Sequence, residues 1–466
     1  MIRPSRLPLL LPALLLAGCV NLAPDYQQPQ APIPSQWPTS AEQGRTTVDI
    51  AWQDFFLDAR LRQVIDQALA NNRDLRVAIL NVEKARALYR VQRAERLPTL
   101  NAGASGSHDR TPASLSSSTG GASTSHQYSA ELGLSGYELD LFGRIRNLSE
   151  AALEDYLALE QTGRSTRISL LAEVANAWLT LAADRDLLRL AEETLTSQQA
   201  SYQLLQRSHV LGNTSGLALA QAQSTVESAR VDVAAYQSQV QQDINTLNLL
   251  VGASPSEDLL PAGLTQSSAE LLEIPAGLPS SLLQQRPDVL AAEHALKAAN
   301  VDIGAARADF FPSISLTASA GTSSAALSGL FKGGSGAWSF APSVSLPIFD
   351  AGANRANLKA AERERDIQLA TYEQTLQSAF REVADVLAER GTLRQRMEAQ
   401  QALVDATDKS YRLADALYRN GASSYLDALD SQRELYAARQ SLISLRLTEQ
   451  SNRIGLYRVL GGGIAE

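Results

Sequence analysis

The chain has 466 residues, enough for two or three ordinary domains, and only 6% of them are aromatic. That is too few for the core of a large enzyme, and the Ala-, Leu-, Gln- and Arg-rich stretches suit long helices instead. A formal net charge of −9 leaves no broadly basic surface and argues against a nucleic-acid partner.

The N-terminus reads as a secretion signal. Arg3 and Arg6 supply a positive start, Leu7 to Leu16 is an apolar stretch too short to span a bilayer, and Leu16-Ala17-Gly18-Cys19 resembles a bacterial lipobox. Cleavage there would remove residues 1–18 and leave Cys19 as the lipidated first residue, and Val20 in place of Asp favours the outer membrane. Cys19 is the one cysteine, so no intrachain disulfide forms. Residues 19–59 are expected to be an extended leader, since 20–50 are rich in Pro and Gln and lack periodicity.

Next comes a helix from about Asn72 to Arg96. A weak strand signal follows at Thr99–Ser107, then a Ser-, Thr- and Gly-rich loop at His108–His126. Tyr128, Ala130, Leu132 and Leu134 alternate with Ser129, Glu131, Gly133 and Ser135, a strand with one apolar and one polar face. No proline occurs from Ala113 to Ser254, and one interior proline costs a helix about 3 kcal/mol, so this zone is free to be helical. Leu170, Val174, Ala177 and Leu181 step by four, three and four, the seam of a left-handed supercoil. One helix from about Arg144 to His209 would be on the order of 100 Å long at 1.5 Å per residue. Gly212 marks a reversal, and a return helix runs from about Ser215 to Val251.

After a Pro- and Gly-bearing link the landmarks recur. Asp74 to Pro98 and Asp288 to Pro312 have one spacing. So do Tyr202 to Gly212 and Tyr411 to Gly421, and so do Gly212 to Gly252 and Gly421 to Gly461. Ser313 to Ala320 and Trp338 to Ile348 alternate as strands. Tyr372, Leu376, Ala379, Val383 and Val386, then Leu435, Ala438, Leu442 and Leu445, repeat the helical seam. The chain thus reads as one unit written twice, at 60–255 and 280–462, joined by a link at 256–279. The alternating segments suit either half-buried strands of an ordinary sheet or strands of a transmembrane barrel. The lipobox and the Ser-rich loop tip the reading to the barrel. Four strands cannot close one, so it must be shared between chains.

No catalytic motif appears, and the four histidines, His108, His126, His209 and His294, have no zinc-ligand spacing, so no cofactor or metal is expected. Gly461-Gly462-Gly463 follows a helix and reads as a stop. One cluster stands out. Leu426, Asp427, Asp430 and Arg433 lie on one helical face just after Gly421. From the residues alone the acids read as helix capping, with Ser424 as N-cap and Asp427 at N3.

Asn71–Leu75, Tyr137–Arg144, Phe310-Phe311-Pro312-Ser313-Ile314, Leu346-Pro347-Ile348-Phe349 and Leu460–Gly463, with the lipobox, resemble the outer-membrane factors. They are most similar to the OprM-type lipoproteins of resistance-nodulation-division pumps, within the TolC-like family. The resemblance implies an α+β membrane protein: a homotrimer with a 12-stranded transmembrane β-barrel, four strands per chain, continued by a long periplasmic α-helical barrel. It implies an exit duct in the outer membrane, not an enzyme, that passes amphiphilic small molecules. Its partners would be a periplasmic adaptor and an inner-membrane proton-driven transporter. It implies a periplasmic gate at Leu426, Asp427, Asp430 and Arg433, with Leu426 as plug and the acids as a ring, and adaptor contacts at the hairpin tips Gly212, Asn213, Gly421 and Ala422. Ala218 occupies the place of Asp427 in the first half, where relatives often carry Asp. Type I protein secretion or metal-ion export are the alternative uses of such a duct, and a coiled-coil spacer between membrane and cell wall is the rival without strands.

Overall fold

A computed structural model describes residues 20–34, 37, 50–114, 121–264, 271–272 and 280–462. Cys19, the proposed lipid site, and Gly463 lie outside the described residues, as do parts of the leader and of the link. Helices α1 (Trp52–Phe55), α2 (Ala59–Asn71) and α3 (Arg73–Ala94) lead into strands β1 (Leu100–Thr111) and β2 (Ser123–Glu138). Helices α4 (Arg144–Val210) and α5 (Gly216–Val251) follow. The second series is α6 (Pro287–Ala308), β3 (Ser313–Ser324), β4 (Gly336–Ser345), α7 (Ala353–Arg419) and α8 (Tyr425–Val459). The order helix, two strands, long helix, return helix therefore occurs twice. The lengths match as well: α3 and α6 have 22 residues each, α4 and α7 have 67 each, and α5 and α8 have 36 and 35.

The chain divides into two compact units. One holds residues 1–30, 82–159 and 291–372, the other 31–81, 160–290 and 373–466. The first contains the sheet, whose order is β1-β2-β3-β4, with every pair antiparallel. β1 is longer than its sequence signal and pairs along its whole length, from Leu100↔Leu134 to Thr111↔Ser123. The loop expected at His108–His126 is correspondingly shorter, because its first and last residues belong to the ladder. β4 ends at Ser345, before the alternation expected to reach Ile348; Pro347 has no N–H to extend a ladder.

An extended leader lies along α6 in the same unit. Arg307 donates to the Leu22 carbonyl at 3.0 Å, Asn300 to that of Pro24 at 2.8 Å, and Tyr26 Oη to Glu293 Oε1 at 3.3 Å. These three α6 residues step by seven and share one helix face. Gly304 leaves the space that the leader fills, since a Cβ there would stand 2.7 Å from the Cα of Ala23. At its start Val20 N donates to Leu141 O, just after β2.

In the second unit the supercoil seams are buried. Leu170, Val174 and Leu181, then Leu376, Ala379 and Val383, then Leu435, Ala438, Leu442 and Leu445 all lie in the core, and Tyr372, the last residue of the first unit, is buried as well. Ala177 and Val386 are half-buried. A polar tie closes each repeat at equivalent places. Asn72 Nδ2 donates to Leu250 O at 2.8 Å, and Arg286 Nη1 donates to Val459 O at 2.7 Å. Each joins the start of a 22-residue helix to the last turn of a return helix.

Candidate functional site: a two-faced sheet and a pair of hairpin tips

The strand register sorts the sheet's side chains onto two faces. One carries Leu100, Ala102 and Ala104 of β1, Tyr128, Ala130, Leu132 and Leu134 of β2, Ile314, Leu316, Ala318 and Ala320 of β3, and Trp338, Phe340 and Val344 of β4. Trp338 is 80% exposed and Phe340 62%, so this chain alone leaves the apolar face open. The opposite face carries Ser105, Ser129, Ser319, Ser339 and Ser343, with Asp109, Gln127 and Glu131 among them. Hydroxyls pair across it: Ser105 with Ser129 at 2.7 Å and Ser319 with Ser339 at 2.9 Å. Among the described residues β1 and β4 are unpaired on their outer sides, so the sheet has two open edges.

At the other candidate site the long helices reverse. Gly212 has φ 80° and Gly421 φ 72°, a left-handed conformation that an added Cβ strains. The hydrogen bonds are the same at both turns. Gly212 N donates to His209 O and Asn213 N to Ser208 O, while Gly421 N donates to Tyr418 O and Ala422 N to Leu417 O. This two-bond pattern ends a helix by satisfying its last carbonyls. The two reversals pack together through Leu205, Ala222, Tyr425 and Leu429, with Tyr202, Leu219 and Tyr418 against them.

Next to that cluster, α8 opens with a capping box. Asp427 N donates to Ser424 Oγ at 3.4 Å, and Asp427 Oδ2 accepts from Ser424 N at 3.1 Å. At the first reversal Ser215 Oγ accepts from Ala218 N at 3.2 Å, but Ala218 has nothing to return. Tyr425, Ala428 and Leu429 point inward, and Leu426, Asp427, Asp430 and Arg433 are left together on the exposed face. Leu426 is 44% exposed, and Arg433 meets Asp430 at 3.5 Å. The structure thus brings all four predicted residues to one face, and it shows the cap as well.

A family model for outer membrane efflux proteins matches residues 64–253 and 278–462. The chain belongs to the outer membrane efflux protein family. This is a family of transport channels and not of enzymes. The toluene efflux pump outer membrane protein TtgC of Pseudomonas putida is 50% identical over 465 residues, covering 98% of this chain and 96% of its own. The crystal structure of a membrane protein from Pseudomonas aeruginosa superposes with a TM-score of 0.90 at 44% identity, covering 95% of this chain and 98% of that one. The open state of the MtrE outer membrane channel of Neisseria gonorrhoeae gives 0.85 at 40% identity, covering 96% and 99%. The resemblance read from the motifs is therefore borne out.

Two features of this outer membrane efflux protein escaped the sequence reading. The ties from Asn72 and Arg286 carry no periodic signal. His108 and His126 looked scattered, yet the register sets them side by side.

Proposed function

We propose that this chain is the outer-membrane exit duct of a resistance-nodulation-division type multidrug and solvent efflux pump. The observation that carries the reading is the sheet: one face apolar, the other serine-lined, and both edges open. Open edges cannot face lipid, so the strands must pair with those of other copies. Three copies make the 12-stranded barrel that the family resemblance implies, with the serine face around an aqueous lumen. The apolar face meets the lipid. The long helices continue the duct through the periplasm as an α-helical barrel. The repeats at 60–255 and 280–462 then each contribute one strand pair and one helical hairpin. Cys19 carries the lipid anchor, and the docking of Val20 beside Leu141 starts the anchored leader next to the end of β2. The hairpin tips at Gly212, Asn213, Gly421 and Ala422 meet a periplasmic adaptor, which couples the duct to a proton-driven inner-membrane transporter. Amphiphilic small molecules such as aromatic solvents pass through.

Leu426, Asp427, Asp430 and Arg433 form the periplasmic gate. Their shared exposed face and the Arg433–Asp430 pair support this role, because three copies would bring six carboxylates around the axis. The test is single-channel current in planar bilayers with a salt gradient. The parent protein should conduct with cation preference. Asp427→Asn/Asp430→Asn should lose much of that preference, since a fixed negative field at a constriction attracts cations. The amide at 427 still accepts from Ser424 N, so the cap is kept. An unchanged reversal potential would leave the acids as capping groups only. A protein that never inserts or conducts would overturn the duct itself.

A further inference from the structure

The β1–β2 hairpin carries two histidines that the duct does not use. His108 and His126 are direct partners in the register, and their Nδ1 atoms face each other within hydrogen-bond reach. Tyr128, two residues along β2 on the same face, lays its ring over Gly106, where a Cβ would stand 3.2 Å from Tyr128 Cδ1. That placement sets Tyr128 Oη 3.2 Å from His108 Nε2. With the hydrogen on Nε2, His108 donates to Tyr128 Oη and keeps its Nδ1 lone pair turned toward His126. A ligating histidine is usually held this way, its second nitrogen fixed by an outer partner. Both imidazoles are exposed in this chain, and they stand toward the loop end of the sheet's apolar face, past its last aliphatic rung at Ala104 and Ala130.

We propose that His108 and His126 form a two-histidine site for a divalent transition-metal ion of the zinc, nickel and copper class, on the outward face of the hairpin. Two imidazole nitrogens select these ions over calcium or magnesium, which take oxygen ligands. Asp109 lies on the opposite face of β1 and adds no carboxylate. Arg110, next on the histidines' own face, opposes any cation held by charge alone, so binding here rests on the nitrogen lone pairs. No third His, Cys, Asp or Glu joins the pair among the described residues, so water completes the shell. Small rotations of the two rings separate the Nδ1 atoms enough to admit the ion; the hydrogen between them is released to water and His126 takes one up at Nε2, so both rings bind as neutral imidazoles through Nδ1. The bound ion would staple β1 to β2 just below the hairpin loop. The site rests on the hairpin alone and stands or falls separately from the duct.

The experiment is copper(II) binding to purified, tag-free protein in detergent, followed by electron paramagnetic resonance and by competition with a chromogenic chelator. The expected result is one ion per chain with hyperfine structure from two nitrogens. His108→Gln and His126→Gln should each remove one nitrogen and weaken binding by roughly tenfold or more. Tyr128→Phe should keep both nitrogens but weaken binding by roughly tenfold, as the loss of an outer-shell partner does. These positions are exposed, so the variants should keep the parent's oligomer and helix content. The two-nitrogen signature of the parent needs no variant at all. No binding by the parent would overturn the proposal. So would equal binding by His108→Gln/His126→Gln, which would assign the copper to His209 or His294.

Discussion

At the scale of single residues, the two ties between helix ends differ in chemistry although they occupy equivalent places. Asn72 is neutral; it also caps α3, since Leu75 N donates to its Oδ1 at 2.8 Å. Arg286 is a buried cation. Burial pushes its pKa down, but Asp288 and Glu382 more than compensate and hold it above the ordinary value. Its Nη2 lies 2.6 Å from Asp288 and 3.0 Å from Glu382. Removing the cation leaves two half-buried carboxylates and a carbonyl without their donor. Arg286→Met should therefore cost about 3 kcal/mol, and Asn72→Ala about 1–2 kcal/mol. Thermal loss of the helical circular-dichroism signal checks this, and equal midpoints for the two variants would refute the asymmetry. A second polar pair, half-buried Asp184 beside buried Asp243, gives a pH dependence. Burial, and then the neighbouring Asp243, push Asp184 up to about 7 from 3.8. Asp243 Oδ2 is buried without a donor, and a protonated Asp184 supplies one. Ionising Asp184 is harder in the folded chain than in the unfolded one. Its contribution is thus fully favourable below the unfolded pKa and is lost as pH rises toward 7. Asp184→Asn keeps a donor and cannot ionise. It should raise the melting midpoint at about pH 8, by the equivalent of roughly 1–2 kcal/mol once solvent screening is allowed for, and leave it unchanged at about pH 4. A gain of the same size at both pH values would show that the proton is not the cause.

At the scale of elements, the two hairpin tips share a backbone but not a surface. Val210, Leu211 and Leu217 stand exposed at the first tip, Leu211 at 74%. The second has Arg419 and Asn420 where the first has Val210 and Leu211, and its exposed Leu426 stands beside the acids of α8. Apolar side chains left at a helix reversal suit a protein partner. Photocrosslinkers at Asn213 and Ala422 should capture the periplasmic adaptor. Leu211→Asp should cut the yield at Asn213 severalfold, as loss of an apolar anchor does at an interface. Capture of lipopolysaccharide or barrel-assembly proteins instead would put the tips at the wrong end. The reversals were legible in the sequence because glycine is the residue that a left-handed helix stop requires, and because Gly212 and Gly421 each stand ten residues past a tyrosine. The long helices were legible because proline is absent from their span. The His108–His126 contact was not, because a hairpin's register depends on how its loop closes, and a shift of one residue would send the side chains to opposite faces. β1 gave a weak signal for a related reason. Its Gly106, His108 and Arg110, polar or small on the face that is apolar elsewhere, blur the alternation that β2 and β3 display. The ties from Asn72 and Arg286 join residues more than 170 positions apart, beyond any local pattern.

At the scale of the whole molecule, the duct requires that the two faces of one sheet meet two different solvents. Ala318 and Ser319 are neighbours in β3, so their side chains emerge on opposite faces. Ala318 lies between Leu134 and Phe340 on the apolar face, and Ser319 between Gly133 and Ser339 on the serine face. In a membrane barrel, an arginine at Ala318 enters hydrocarbon and costs about 2–4 kcal/mol near the midplane. At Ser319 the same arginine enters water and costs little, but it adds positive charge to the lumen of every copy. Ala318→Arg should therefore lower the yield of membrane-inserted oligomer. Ser319→Arg should insert normally and move the reversal potential toward anions. Differential extraction of membranes and planar-bilayer recording read the two effects separately. An ordinary sheet with its apolar face against a protein core also rejects arginine at Ala318, but it offers no lumen in which Ser319→Arg could alter a current. The combination of normal insertion and changed selectivity at Ser319 is the result that only the duct produces, and unchanged selectivity in an inserted Ser319→Arg protein would place the serine face outside the conducting path.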